Sequence, residues 1–439
     1  MCLFKISISI YGEKYEYMKV LWITNIMLPP LCERLNLPIP VIGGWMYSLA
    51  KSLILVPDNK IKLAIATIYQ GKVLQRYEID NVVYYLLPLR GKSISQYNKH
   101  FEPLWKNIEK EFSPDIVHLH GTEFAHGLPF LRACPQVKSV VSIQGLVSVI
   151  GRYYLEGLSF RDILGNITFR DVIRWNNLWQ QKKDFVDRGG IEKEIIQLCS
   201  HVIGRTSWDK AHVKAIHPDI CYHFCNETLR DEFYKYKWEY SSCEKHSIFL
   251  SQAGYPIKGL HQVLKALPLV IKKYPDVKVY IAGVDVRRVN TLKERITRSG
   301  YGQYLLNLIK SLNLEKYVEF TGPLNEQEIC KKMLRSNIFL CPSSIENSPN
   351  SLGEAQLLGL PCIASYVGGI PDMIPNNLCG RMYRYEEVEM LAELILEVFE
   401  ESMSFDNTEM RKIALQRHSS SMNQQCLLEI YNEIVNCNI

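Results

Sequence analysis

The chain has 439 residues, of which 47% are hydrophobic and 22% charged, and its formal net charge is +5. This length is too great for one hydrophobic core, so two domains are expected. The composition is ordinary for a soluble globular enzyme. No run of about 18 apolar residues occurs, so no membrane-spanning helix is predicted.

The N-terminal residues 1–17, "MCLFKISISIYGEKYEY", precede "MKVLWITN" and lack the features of a signal peptide. They are interpreted as an extension with little role in the fold. The 13 cysteines include no CxxC pair. Cys221 and Cys225 flank His223 without a second ligand pair at zinc spacing, so buried thiols are expected there rather than a metal. This pattern suits a reducing cytosol.

Short β-branched segments alternate with amphipathic helical patterns along the whole chain. The first series includes "KVLWITN", "KLAIATIY", "VVYYLLPL", "DIVHLHG", "SVVSIQG" and "HVIGRT", and the second includes "SIFLSQAG", "VKVYIAG", "VEFTG", "NIFLCPS" and "PCIAS". Such alternation, occurring twice, predicts two doubly wound α/β domains. We place the first domain at 18–235 and the second at 236–420. A final amphipathic helix at about 421–439 is expected to pack back on the first domain.

Charge is unevenly distributed between the two halves. Residues 1–225 carry 27 basic and 20 acidic side chains, a net charge of +7, whereas the remainder carries 24 and 26, a net charge of −2. A basic first half is compatible with an anionic partner and equally with ordinary solvated lysines. No nucleic-acid partner is expected.

Candidate site residues fall at the ends of predicted strands, where open α/β sheets bind ligands. They are Gly43 and Gly44, His120, Gln144, Arg205, Lys258, and the glutamates Glu346 and Glu354. Because two sheets facing each other form a cleft, this coincidence is the main evidence from the residues for an enzyme.

The two glutamates flank the start of a predicted helix in "SSIENSPNSLGEAQLLG". Ser348, Asn350 and Ser351 can cap that helix, whose free amides attract phosphate. A carboxylate beside phosphate would be repelled, so both glutamates are expected to bind hydroxyl groups. A nucleotide-sugar meets these demands, although a solvated Glu346 and a Glu354 that merely favours the helix start explain the spacing about equally well.

The E-x7-E spacing between "PSSIENSPNSLGEA" and "GLPCIASYVGGIPDMI" resembles the signature of family 4 retaining glycosyltransferases, which have the GT-B fold. "GGWMYSLAKSL", "PDIVHLHG", "YPIKGLHQVLKAL", "VYIAG" and "VEFTGPL" follow in the expected order, so the resemblance covers most of the chain. A Rossmann dehydrogenase is disfavoured, because no GxGxxG follows the first strand.

The resemblance implies a role for each matching residue. Glu354 would contact the ribose and Glu346 the donor sugar, and Lys258 would neutralise the diphosphate. The backbone amides of Asn350, Ser351 and Leu352 would bind the β-phosphate and sugar, and Gly44, beside Gly43, would allow close approach from the other domain.

Two positions depart from the family pattern. The Arg usually found five or six positions before the Lys is replaced by Gln252 or Ala253, and Arg205 is a candidate replacement from the facing domain. The His expected to touch the donor sugar is replaced by Gln144, which can still bond a hydroxyl. His120 is a further candidate, open between a cleft contact and a strand-end histidine bonded to backbone.

The resemblance implies a retaining sugar transfer from a nucleoside diphosphate to an acceptor hydroxyl, without a protein nucleophile. No cofactor or metal is expected, because no DxD-type cluster occurs at a strand end. The stretch Ser159–Phe185 mixes aromatic residues with Arg161, Arg170, Arg174, Lys182 and Lys183. It is compatible with an anionic membrane surface and a lipid-linked glycan acceptor, or with a helical pair whose aromatic residues pack inward.

This interpretation places the protein in the cytoplasm or at the inner face of the cytoplasmic membrane. Two other function classes stay open. A nucleotide-sugar 2-epimerase would need further catalytic carboxylates, and a non-catalytic nucleotide-sugar-binding protein would have lost turnover with the missing Arg and His.

Overall fold

A computed structural model describes residues 17–40, 43–55, 61–89, 93–288 and 290–437 of the chain. The predicted extension 1–17 lies outside these ranges except for Tyr17. None of the helices within them has the length and apolar character needed to cross a bilayer.

The first domain is built on an eight-stranded sheet with the order β3-β4-β2-β1-β5-β6-β7-β8, parallel except for β3. Its strands are β1 Met18–Thr24, β2 Ile61–Tyr69, β3 Gln75–Ile79, β4 Val82–Pro88, β5 Ile116–His120, β6 Ser139–Ser142, β7 His201–Gly204 and β8 Cys221–Phe224. The central strands are buried and rich in Val, Ile and Leu, as expected for strands covered on both faces.

The second domain has a six-stranded parallel sheet with the order β11-β10-β9-β12-β13-β14. Its strands are β9 Ser247–Leu250, β10 Lys278–Ala282, β11 Val318–Gly322, β12 Ile338–Cys341, β13 Cys362–Ser365 and β14 Arg381–Tyr383. The prediction of two doubly wound α/β domains is therefore confirmed.

Helices cover both sheets. In the first part of the chain they are α1 Pro29–Arg34, α2 Gly44–Leu55, α3 Phe101–Phe112, α4 Leu128–Ala133, α5 Val147–Tyr153, α6 Phe160–Leu164, α7 Phe169–Ile173, α8 Leu178–Leu198 and α9 Ser207–Ile216. The second part has α10 Leu260–Ile271, α11 Leu292–Ile296, α12 Gly300–Ser311, α13 Glu326–Leu334, α14 Asn350–Leu358, α15 Ile370–Met373, α16 Val388–Glu401, α17 Thr408–Arg417 and α18 Ser420–Asn436.

The segment from α5 to the start of α8 changes the predicted domain boundary. Tyr154, Ile163 and Leu178 are buried in the same apolar cluster as Leu260 and Tyr301 of the second domain. Because their apolar surface is covered by the second domain, the assignment of all of 18–235 to the first domain needs correction. The segment leaves the first domain and packs on the second.

Helix α18 returns to the first domain. Leu427, Ile430 and Tyr431 are buried in one cluster with Trp22 of β1. The indole Nε1 of Trp22 donates a hydrogen bond of 2.9 Å to the Tyr431 hydroxyl. Helix α18 thus packs against the sheet that contains β1.

Candidate active site

A cavity of about 800 Å³ lies between the two domains, at the carboxyl ends of their central strands. This is where ligands bind in open α/β sheets. Of the predicted site residues, the cavity wall includes Gly43, Gly44, Gln144, Lys258, Glu346, Asn350, Ser351 and Glu354. The structure thus brings together residues more than 300 positions apart in the sequence.

Lys258 and Glu346 form an ion pair in the second-domain wall. Lys258 ends a short 3-10 turn that Gly259 follows in the left-handed conformation, with φ of 69°. Its Nζ donates a 2.6 Å hydrogen bond to Oε1 of Glu346, which also accepts one of 2.7 Å from the Ser343 hydroxyl. Burial lowers the pKa of Lys258, but the Glu346 carboxylate outweighs it, so the pKa lies above its ordinary value and the ammonium stays charged.

Glu354 is buried on α14 and bound by an arginine that the sequence analysis missed. Arg230 Nε donates to Oε1 of Glu354 at 2.6 Å and Nη2 to Oε2 at 2.7 Å, a bidentate geometry. Burial raises the pKa of Glu354 above its ordinary value, and the guanidinium counteracts this. Since Arg230 also lines the cavity, the wall contains a second paired cation besides Lys258.

The N-terminus of α14 is not capped by the side chains that were predicted to cap it. Pro349 occupies the N-cap position, with no side-chain cap, so the proposed capping by Ser348, Asn350 and Ser351 is wrong. The amide of Leu352 already donates to the Pro349 carbonyl at 3.0 Å, so a donor-binding role for it needs correction. Asn350 and Ser351 precede it, at positions where helix amides have no intrahelical acceptor.

The first-domain wall carries polar groups of a different kind. The Glu123 Oε1 accepts a 3.0 Å hydrogen bond from the amide of Gly145, while its Oε2 is buried without a partner among the described residues. The side-chain nitrogen of Gln144 is likewise buried and unpartnered within the described chain. Burial raises the pKa of Glu123 to about 7, against the opposing effect of the backbone hydrogen bonds.

His120 and Arg205 lie behind this wall rather than in it. His120 is fully buried, its ring stacked on His118 at 3.9 Å between centroids and 5.9 Å from the ring of Trp45, which lines the cavity. Neither ring nitrogen has a partner among the described residues, so the backbone bond that was one of the two alternatives for His120 is not found. Burial lowers the pKa of His120 well below its ordinary value. Arg205 forms a buried ion pair with Glu227.

A side-chain amide joins the two domains beside Glu346. Asn347 accepts a 2.6 Å hydrogen bond from the Thr206 hydroxyl and donates one of 2.9 Å to Asp209. All three side chains are buried. The loop that carries Glu346 is therefore anchored to the first domain, which fixes its position relative to Gln144 and Glu123.

Residues 159–175 expose an apolar surface, which we call the α6–α7 surface. It consists of Phe160, Leu164, Phe169, Val172, Ile173 and Trp175. Phe169 is 70% exposed and Trp175 is 81% exposed, so the alternative in which the aromatic residues pack inward is wrong for these two. Arg161 and Arg174 are exposed beside them, whereas Arg170 is held by the buried Asp171 at 3.1 Å.

Comparisons with known proteins agree with this architecture. Residues 235–416 match the family described as "Glycosyl transferases group 1". The amylovoran biosynthesis glycosyltransferase AmsK of Erwinia amylovora is 30% identical over 31% of this chain and 36% of its own length. A GDP-mannose-dependent phosphatidylinositol monomannoside mannosyltransferase of Corynebacterium glutamicum is 28% identical over 33% of this chain and 36% of its own length. The chain thus aligns with about a third of each of these relatives.

The fold extends over nearly the whole chain. Anabaena Alr3699/HepE, solved in complex with UDP, superposes with a TM-score of 0.63 over 95% of this chain and 100% of its own, at 15% identity. Such a likeness establishes the GT-B fold, with two Rossmann-like domains facing across a cleft. The part of the chain that matches the group 1 glycosyl transferases, residues 235–416, contains Lys258, Glu346 and Glu354.

Proposed function

We propose that the protein is a retaining glycosyltransferase that moves a sugar from a nucleoside-diphosphate sugar to a hydroxyl of a glycan acceptor. The observation that carries the proposal is the second-domain wall, where Lys258, Glu346 and Glu354 converge with the start of α14. A cation and free helix amides suit a diphosphate, and two carboxylates suit sugar and ribose hydroxyls.

Lys258 has the central role in the proposed mechanism. Without donor its charge is met by Glu346 at 2.6 Å. As the glycosidic bond breaks, negative charge accumulates on the leaving diphosphate, and the ammonium and the amides of Asn350 and Ser351 would stabilise it. Glu346 would then bind the donor sugar, while Glu354 would contact the ribose. The leaving diphosphate would help to deprotonate the acceptor on the same face.

The mechanism needs no cofactor and no metal in the cleft. Catalysis would come from positioning and from stabilising the leaving group. On the facing wall, Gln144 and Glu123 would bind acceptor or sugar hydroxyls through polar atoms that lack partners within the described chain. His120 and Arg205 would act only from behind this wall, as supports for Trp45.

The donor can be tested directly by incubating the protein with UDP- and GDP-sugars. Both bases are included, because one relative is named as GDP-mannose-dependent and one structural neighbour holds UDP. Slow release of free sugar from one donor is expected for a transferase. Interconversion of two nucleotide-sugars would instead indicate a 2-epimerase, and binding without turnover a non-catalytic binding protein.

We propose further that the acceptor is lipid-linked, that the protein acts in cell-surface polysaccharide synthesis, and that it works at the inner face of the cytoplasmic membrane. The α6–α7 surface supports this, because its apolar side chains are exposed beside Arg161 and Arg174. Such a surface suits anionic lipid, to which each nearby basic residue contributes about 1 kcal/mol. The role of AmsK in amylovoran biosynthesis is compatible with it.

Liposome flotation tests this membrane contact. Replacing Arg161, Arg174 and Lys182 together with Gln should release the protein from anionic liposomes at low salt and leave donor hydrolysis unchanged. The matched control replaces the exposed Lys99, Lys106 and Lys110 at and on α3 with Gln, which removes the same charge far from this surface. If wild type does not float with anionic liposomes, or if both triple variants detach alike, the membrane contact is refuted.

A further inference from the structure

Three metal-ligating side chains meet at the edge of the first sheet, on strands β7 and β8. His201 and Cys221 are register partners in these parallel strands, and His223 follows two positions later. One ligand atom of each lies within 4.8 Å of the other two. None of the three lines the cleft. The sequence analysis expected only a buried thiol here, because nothing in the spacing connects His201 with the other two.

The geometry of the two imidazoles suits a shared metal ion. His201 Nδ1 lies 3.0 Å from His223 Nε2, and the rings are nearly parallel, at 24°. Two ligands at about 2.0 Å from a tetrahedral Zn²⁺ are separated by roughly 3.3 Å, so a small rotation of either ring suffices.

The C-terminal helix supplies a carboxylate to the same cluster. Glu433 of α18 places Oε2 at 3.8 Å from His223 Nδ1, the nitrogen that faces away from His201. Zinc-bound histidines commonly donate their other N–H to such a carboxylate. Two cations lie near the cluster, Lys138 beside His201 and Lys214 beside Cys221. Both donate to backbone carbonyls: Lys138 to Val435 and Cys437, and Lys214 to Pro218 and Ile220.

We propose that His201, Cys221 and His223 form a Zn²⁺ site that fastens α18 to the first domain through the Glu433 carboxylate. Nδ1 of His201, Nε2 of His223 and the Cys221 sulfur bind the ion, and a water molecule completes the tetrahedron at the sheet edge. Glu433 accepts the N–H of His223. The site is structural and takes no part in the transfer reaction, so it holds whether or not the proposed function does.

The test uses metal-stripped, full-length protein and Zn²⁺ alone. Calorimetry should show one Zn²⁺ bound per chain, and Tm should rise with Zn²⁺ by mass action but not with Mg²⁺. Repeating the titration in buffers of different ionisation enthalpy should show release of about one proton, because the Cys221 thiol binds the ion as a thiolate.

Variants separate this site from adventitious binding. Cys221→Ser and His223→Gln should abolish the Tm rise, and Glu433→Gln should weaken Zn²⁺ affinity by roughly 10- to 100-fold. Cys243→Ser, a partly exposed cysteine of the second domain, should leave both unchanged. Wild type is also titrated with Co²⁺, so that the test does not depend on the folding of a variant. The absence of a thiolate-to-cobalt absorption band, or a Zn²⁺-dependent Tm rise retained in Cys221→Ser, overturns the proposal.

Discussion

The two walls of the cleft differ in how their polar groups are satisfied. In the second-domain wall, Lys258 is paired with Glu346, and Glu354 is paired with Arg230 of the segment between the domains, all at 2.6–2.7 Å. In the first-domain wall, Glu123 Oε2 and the Gln144 side-chain nitrogen are buried without partners among the described residues. The charged groups of the second-domain wall are therefore paired with one another, whereas two polar atoms of the first-domain wall have no partner in the described chain.

The difference teaches which wall is preorganised. Paired charges hold their positions before a ligand arrives, which suits groups that must meet a diphosphate at a defined place. An unpartnered buried polar group costs about 1–3 kcal/mol, and a native structure keeps one only for a reason such as ligand binding. The contrast is consistent with the proposed function, in which the paired second-domain wall binds the donor and the unpaired polar atoms of the first-domain wall contact a ligand.

Among the variants of the two walls, removal of the Glu354 carboxylate should have the largest effect on stability and nucleotide affinity. Glu354→Ala leaves the guanidinium of Arg230 buried without its partner, so the free energy of unfolding should fall by about 3–5 kcal/mol. UDP or GDP affinity should fall as well, because the proposed ribose contact is lost. Urea denaturation and calorimetry measure the two effects.

Two further variants separate stability from binding. Replacing both Arg230 and Glu354 with Met should restore stability but not nucleotide affinity. Glu409→Ala, which removes an exposed carboxylate near Lys412, should change stability by less than about 0.5 kcal/mol. If Glu354→Ala proves as harmless as Glu409→Ala, the second-domain wall does not depend on this pair.

Lys258 tests the same wall through turnover. Lys258→Ala should lower kcat by roughly 10²- to 10³-fold, the effect of losing one donor that stabilises a developing charge. Lys258→Gln should recover little, because the charge is required. Lys273→Ala, which removes an exposed lysine paired with Glu400, is the matched control. Unchanged turnover in Lys258→Ala would refute its role at the diphosphate.

The sequence predicted the fold well where patterns are local. Buried β-branched segments identified most strands, but β3 was missed, because its alternating exposure and its turn at Asp80 and Asn81 mark a hairpin rather than a parallel strand. The short β8 and β14 were missed as well. The predicted domain boundary was wrong at α6 and α7, because the sequence of an amphipathic helix does not show which domain its apolar face packs against.

The site was predictable where residues follow a predicted strand, as Gln144 and Lys258 do, or lie close together in sequence. Glu346, Asn350, Ser351 and Glu354 share one loop and helix, so their spacing carried the information. Arg230 lies in the segment between the domains, and its partner is 124 positions away. Glu123 follows β5 by three residues, and that position at a strand end was the one available signal for it. Contacts such as these depend on the register of the strands and on how the two domains are positioned relative to each other. The hydrophobic periodicity of the sequence does not encode either.

The smallest expected effect is a pH dependence of the free energy of unfolding that is due to Glu123, and it tests the first-domain wall. Its ordinary pKa is 4.5, and burial raises the pKa to about 7 in the folded chain. Between these values the unfolded chain has lost the proton that the folded chain retains, so stability falls as pH rises. The full effect, complete above about pH 7, is at most about 3 kcal/mol. Glu123→Gln mimics the neutral carboxyl at every pH and lacks this dependence.

The measurement is therefore a difference between two proteins. The free energy of unfolding of wild type minus that of Glu123→Gln should decrease steadily from pH 4 to pH 8. Glu194→Gln, which alters an exposed carboxylate paired with Arg132, corrects for the general effect of removing one charge from this domain. A flat difference would mean that Glu123 ionises normally. Its second oxygen would then be satisfied, and the contrast between the two walls would rest on Gln144 alone.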